Sequence, residues 1–213
     1  MEWSDSWRGA FRIELRAEAI GYAWGGWPVL PGTYPAGSQW AGRSGAEQDG
    51  PVPVHADWQD RLNAKPEEIA TWWTGQPYSL LVATGLVVDA IEVSADLGRL
   101  VARALRENGT PVPMAATPAG RWLFLTSAGQ PLRPELSGHH DVRLHAKGSW
   151  IPLPPTPFQH GIVHWRVKPQ VCGRHLPSSL LVQDAVLQAV GDPELFEPLH
   201  PATQLVTAER SAA

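Results

Sequence analysis

The chain of 213 residues has one cysteine, two methionines and few tyrosines or phenylalanines. A lone thiol, Cys172, excludes an internal disulfide framework and agrees with a reducing compartment. Cys172-Gly173-Arg174-His175 has the spacing of half a zinc knuckle, but there is no second cysteine, so a packed thiol is expected in place of a structural zinc. No apolar run approaches the roughly 20 residues a membrane span requires, so no membrane partner is expected. The opening segment Met1–Arg16 mixes Trp, Asp, Arg and Glu and lacks an apolar stretch, so export is not expected and a cytoplasmic location is. Against three Tyr and four Phe stand eleven Trp, which can serve a core or an interaction surface.

Length predicts one domain or a compact two-lobed one. Net charge is −4, unevenly spread. Between Arg121 and His175 there are seven basic residues against two acidic ones, a net +5, with six of the eight histidines; the remainder carries −9. A basic, histidine-rich lobe beside an acidic one can form a phosphate-facing groove, or its charges can simply solvate a surface.

Local patterns predict the elements. Glu14–Trp24 carries Leu15, Ala19, Ile20 and Ala23 on one helical face and stops at Gly25-Gly26. Trp27–Leu30 reads as a short strand, and Pro31–Pro53 as a long loop without periodicity. Pro66 opens a helix whose first turn holds Glu67 and Glu68 and which closes at Trp72-Trp73. Ser79–Thr84 and Val87–Val93 are strands separated by Gly85, and Leu97–Asn108 is an amphipathic helix stopped at Asn108-Gly109. Arg121–Thr126, Trp150–Leu153 and Gly161–Val167 are further strands, Ser178–Val190 is a last helix, and the chain from Asp192 on reads as a loose tail. Antiparallel strands around a β-α-β unit imply a mixed α/β, or α+β, fold.

Alternate residues of a strand point the same way, so an acid-x-acid pair at a strand end presents both carboxylates to one site and can hold divalent metal ions. In Asp89-Ala90-Ile91-Glu92-Val93-Ser94 that pair is Glu92 and Ser94, one carboxylate and one hydroxyl. Asp89 falls on the opposite face and cannot stand in for Ser94. A simpler role for Ser94 is the cap of the helix that follows.

Several segments, in order, resemble the bifunctional primase-polymerase domain of the archaeo-eukaryotic primase superfamily. They are Gly26-Trp27-Pro28-Val29-Leu30-Pro31, Pro66-Glu67-Glu68 to Trp72-Trp73, Thr84-Gly85, and Thr117-Pro118-Ala119-Gly120-Arg121-Trp122-Leu123-Phe124. Asp141-Val142-Arg143, Gly148-Ser149-Trp150-Ile151-Pro152-Leu153-Pro154-Pro155-Thr156 and Gly161 to Trp165 complete the set. The resemblance implies an α/β lobe packed on an RRM-like catalytic lobe, the two meeting near residues 84–85. The domain then spans 17–175, preceded by an extension (1–16) and followed by a C-terminal helix (176–191) and a flexible tail (192–213).

It also implies metal-dependent nucleotidyl transfer, with magnesium or manganese as cofactor if the chain is active. Glu92, Ser94 and Asp141 then take the three acidic positions, so that Glu92 and Asp141 are the remaining metal ligands, expected to face one another at a cleft. Trp122 takes the position of a motif histidine that meets nucleotide phosphates, and its indole is expected to fill that space. Arg121, Arg143, Lys147 and His145 are phosphate-reaching candidates, each with an ordinary surface or ion-pair role as the alternative, Arg143 with Asp141 among them. His139, His140 and His145 around Asp141 form a second possible metal cluster. The family's Lys-x-Pro element has no counterpart in the 31–53 segment. Three functions follow: a catalytically impaired relative that binds nucleotide or nucleic acid as an accessory module; an active primase/polymerase of weak or unusual specificity; or a protein-interaction scaffold.

Overall fold

In the computed structural model the described residues are 2–44 and 50–191, with side chains described from residue 11 on. The tail expected at 192–213 and part of the loop around 45–49 lie outside them. The helices are α1 (Glu2–Trp24), α2 (Pro66–Trp72), α3 (Ala95–Glu107), α4 (Pro134–Ser137) and α5 (Ser179–Gly191). The strands are β1 (Val29–Gly32), β2 (Tyr34–Ala36), β3 (Gln39–Ala41), β4 (Ser79–Ala83), β5 (Val88–Ser94) and β6 (Met114–Ala116). They continue with β7 (Arg121–Ser127), β8 (Arg143–His145), β9 (Trp150–Pro152), β10 (Pro157–Phe158), β11 (Gly161–Ile162) and β12 (His164–Val167).

The fold is mixed α+β with antiparallel strand pairing. One sheet has the order β1-β4-β9; the larger one has the order β12-β6-β7-β5-β8. Since β7 is antiparallel to both β5 and β6, those two strands run the same way with β7 between them and α3 crossing over. This is a split β-α-β unit, the arrangement an RRM-like lobe requires.

Strand alternation separates two cores. Ile91, Val93, Trp122 and Phe124 point to one face of the large sheet and pack with Leu97, Val101 and Leu105 of α3 and Val182 and Val186 of α5. Val88, Ala90, Leu123 and Leu125 point to the other, where they meet Leu80, Val82 and Ile151 of the small sheet and Leu15 and Ala19 of α1. Within α5, the fully buried Gln183 accepts from Arg133 N–H (2.7 Å) and donates to Pro131 O (3.0 Å), so its polar atoms are satisfied.

Some expected bounds shift. The first helix extends back to Glu2 rather than starting near Glu14, and it buries Tyr22 in place of the half-exposed Ile20 and Ala23. The segment expected as a loop contains the β2–β3 hairpin, invisible to periodicity because each strand has three residues. Strands β4 and β5 lie in different sheets, and Gly85 carries the chain between them. At φ +94°, with the backbone of Lys147 2.2 Å from where a Cβ would sit, only glycine fits there.

Candidate functional site

Strand β5 runs from the core between the sheets outward. Val88 and Ala90 are fully buried, and two and four residues further on the same face emerge Glu92, with a 17% exposed side chain, and Ser94. Register sets their neighbours. Arg121 on β7 lies opposite Ser94, and Arg143 on β8 lies opposite Glu92, so all four share a face. Asp141 arrives on the loop after α4, which is pinned by the buried Leu136.

Arg121 holds this arrangement together. Its Nε donates to Glu92 Oε1 (2.7 Å), its Nη1 to Asp141 Oδ1 (2.6 Å) and its Nη2 to the Asp141 carbonyl (3.1 Å). His145 Nε2 lies 2.7 Å from Glu92 Oε2, and its Nδ1 lies 3.2 Å from Ser149 Oγ. Ser94 has two partners: its hydroxyl donates to Asp141 Oδ2, and its oxygen accepts the Leu97 N–H (3.3 Å) as the N-cap of α3. The Ser94 N–H also donates to Asp141 Oδ1 (3.1 Å).

The electrostatics follow from these contacts. Burial opposes ionisation of Glu92, but hydrogen bonds from His145 and Arg121 and their charges outweigh it and hold the carboxyl at about 2. Burial likewise opposes ionisation of Asp141, and the Ser94 hydroxyl and Arg121 together bring its pKa below the ordinary value. Burial disfavours charge on Arg121 too, yet its two carboxylate partners push its pKa up. At neutral pH the site is two carboxylates around one fixed guanidinium.

A two-metal centre does not fit this donor set. The two carboxylates are already turned onto a guanidinium, the third position is a hydroxyl bonded to one of them, and among the described residues no three His, Cys, Asp or Glu side chains converge to hold an ion. The possible metal cluster of His139, His140 and His145 around Asp141 does not form. His139 and His140 stack on each other at 5.1 Å, His139 Nδ1 accepts the Asp141 N–H (3.3 Å), and His145 belongs to Glu92.

One further expectation is corrected, and one alternative is set aside. Trp122 does not fill space beside the acids. It lies opposite Val93 in register, on the helical face of the sheet, where its ring packs on Gly98 of α3 and Arg166 lies over it at 4.9 Å. The residue that reaches into the acidic site is its neighbour Arg121. Nor does Asp141 pair with Arg143: its cation is Arg121, and Arg143 is exposed on the same face. Lys147 stands apart, exposed where the 146–149 turn crosses Gly85 and where Thr84 N–H donates to Ser149 O (3.0 Å). Asp89 lies on the opposite face from Glu92, buried, with its Oδ2 accepting the Gly129 N–H (2.9 Å).

Residues 19–179 match the family model of the bifunctional DNA primase/polymerase N-terminal domain, Prim-Pol. The chain belongs to this family. A comparison with the curated proteins found no match. The Prim-Pol match spans both sheets, so the family domain contains Glu92, Ser94, Arg121, Asp141, Arg143, His145 and Lys147, and it ends at the first residue of α5. Within this Prim-Pol domain, the bridging role of Arg121 escaped sequence reasoning. Strand alternation already set Arg121 and Trp122 on opposite faces, but only the pairing of β7 with β5 shows which face holds the acids. No helix among the described residues is long and apolar enough to cross a membrane.

Proposed function

We propose that this Prim-Pol domain does not polymerise and acts as an accessory module that binds nucleotide or nucleic acid through the basic face around its remnant site. One observation carries the reading: the Arg121 guanidinium bonds to both Glu92 and Asp141. Nucleotidyl transfer in this family's chemistry requires carboxylates free to bind two divalent cations, which lower the pKa of the attacking hydroxyl and neutralise the triphosphate. Arginine stays protonated and brings a single charge. It can orient an oxyanion, but it cannot activate a hydroxyl as a metal ion does. Ser94 adds a neutral oxygen where a second strand-end carboxylate would be needed.

Phosphate binding asks less of the site. Arg143 is exposed on the same sheet face beside Glu92, and Lys147 is exposed at the crossing of the two lobes. Arg143 presents a planar fork suited to phosphate and Lys147 a mobile point charge.

Primer-synthesis and primer-extension assays with magnesium and with manganese test the first half, and no incorporation is expected. Incorporation that disappears in Glu92→Gln would establish an active enzyme instead. Calorimetry with nucleoside triphosphates and with single-stranded DNA tests the second half. Binding weakened by the double change Arg143→Glu with Lys147→Glu is expected; the absence of binding to either ligand would leave the interaction-scaffold function.

A further inference from the structure

On the opposite face of the large sheet, away from the acids, a cavity of about 870 Å³ opens between α3 and β12. That volume lies within the roughly 300–1,000 Å³ of small-ligand pockets. Its walls are apolar, with Leu100, Val112, Met114 and Val167 among them. Arg99, Arg103 and Arg106 line it from α3 and Arg166 from β12. The three helical arginines are spaced i, i+4 and i+7, so they form one stripe along α3. Arg166 sits at a break in the β12–β6 register, where Trp165 pairs with Ala115 but Val167 already pairs with Met114. Such an irregularity re-aims a side chain, and here the Arg166 guanidinium lies over the Trp122 indole. This ring contact uses none of the ion-pairing capacity of the guanidinium, whose N–H donors can serve another partner.

The charge at this rim is only partly answered. Arg99 pairs with Asp96 and Arg103 with Glu107, both as exposed contacts, while Arg106 and Arg166 have no ion pair among the described residues. Exposed pairs of this kind are weak and yield readily to a multiply charged anion. The cavity therefore combines apolar walls sized for a ring system with four cations placed for several anionic oxygens.

We propose that this cavity is a second binding site, separate from the remnant acidic site, for a nucleoside polyphosphate, with its base against the apolar walls and its phosphates on the arginines. A half-open pocket between α3 and β12, with cations on both of those elements, suits a mononucleotide better than a strand, whose phosphates require a continuous basic groove. This inference does not depend on how the acidic face binds its ligand, because the two lie on opposite faces of the sheet.

Photo-crosslinking of the full chain with 8-azido-ATP, mapped by mass spectrometry, distinguishes the two sites. Labelling within residues 99–114 and 166–171, competed by ATP, is expected. Labelling confined to residues 143–147 would overturn this proposal while supporting binding at the acidic face. In calorimetry with ATP, Arg106→Glu with Arg166→Glu should weaken the affinity by at least about tenfold. The milder Arg106→Gln with Arg166→Gln should weaken it in the same direction, and both variants alter exposed side chains and should fold normally. Unchanged affinity in the two double variants would overturn the site, as would displacement of the label by an oligothymidylate at lower concentration than by ATP.

Discussion

Replacing Arg121 by methionine keeps an apolar stem of similar reach and removes only the guanidinium, so it isolates the central cation. The side chain is 29% exposed and bonds to two carboxylates whose own side chains are 17% and 19% exposed. Glu92 is lowered from 4.5 to about 2. At about 1.36 kcal/mol per pKa unit, its ionisation is coupled to folding by about 3 kcal/mol. His145 and Arg121 share that coupling, and Arg121 also supports Asp141. Stripping a cation from a partly buried pair costs about 3 kcal/mol or more when the remaining charge stays unpaired. A loss of about 2–3 kcal/mol at pH 7 is therefore expected, measured by urea unfolding. The sign with pH follows from the direction of the shifts. Both carboxylates are lowered in the folded state, so their stabilisation is complete above the ordinary values of 4.5 for Glu92 and 3.8 for Asp141. The Glu92 share is lost as pH falls towards about 2, and the Asp141 share is lost as pH falls through its own lowered value. The wild type should lose stability steeply between about pH 5 and pH 2, and Arg121→Met should show a flatter profile that converges on the wild type at the acid end. If the variant matches the wild type in both stability at pH 7 and acid slope, Arg121 does not organise the site and the argument against a metal centre loses its basis.

Four further outcomes are expected. Gly85→Ala places a Cβ 2.2 Å from the Lys147 backbone at φ +94°; strain and overpacking together should cost about 2–5 kcal/mol, seen as a lower urea midpoint. Gly98→Ala sets a Cβ 2.9 Å from the Trp122 indole, so the usual helix gain of about 1 kcal/mol should be reversed to a net loss in thermal unfolding. Ser94→Ala removes the α3 cap and a hydrogen bond to Asp141, which should cost about 1–2 kcal/mol by denaturant unfolding. Trp122→His should cost about 3 kcal/mol of stability by opening the helical core, and polymerase assays of Trp122→His with Ser94→Asp should show no incorporation, because position 122 faces away from the acids.

Much of this protein is legible in local patterns. The period of α3, the existence of α5, the buried strands β4, β5 and β7, the cap at Ser94 and the break at Gly85 follow from spacing, helix-end chemistry and backbone freedom, all properties of a few consecutive residues. Ordered motifs also carried the family, because their succession reflects the succession of elements. Short strands such as β2, β3, β6 and β8 left no periodic signal, since three residues give one alternation and no more.

The acidic site was only half readable for a related reason. Alternation within a strand is local, and it set Glu92 with Ser94, Arg121 against Trp122, and Asp89 away from Glu92 without any knowledge of the rest of the chain. Which face of β7 met the acids of β5 was decided by long-range antiparallel register, which laid Arg121 beside Ser94 and carried Trp122 into the helical core. The choice of Arg121 over Arg143 as the partner of Asp141, and of Glu92 over Asp141 as the partner of His145, was made the same way. Residues up to 53 positions apart share one site. Burial then drives the two carboxylates onto the cation within reach, because an unpaired charge taken out of water is costly.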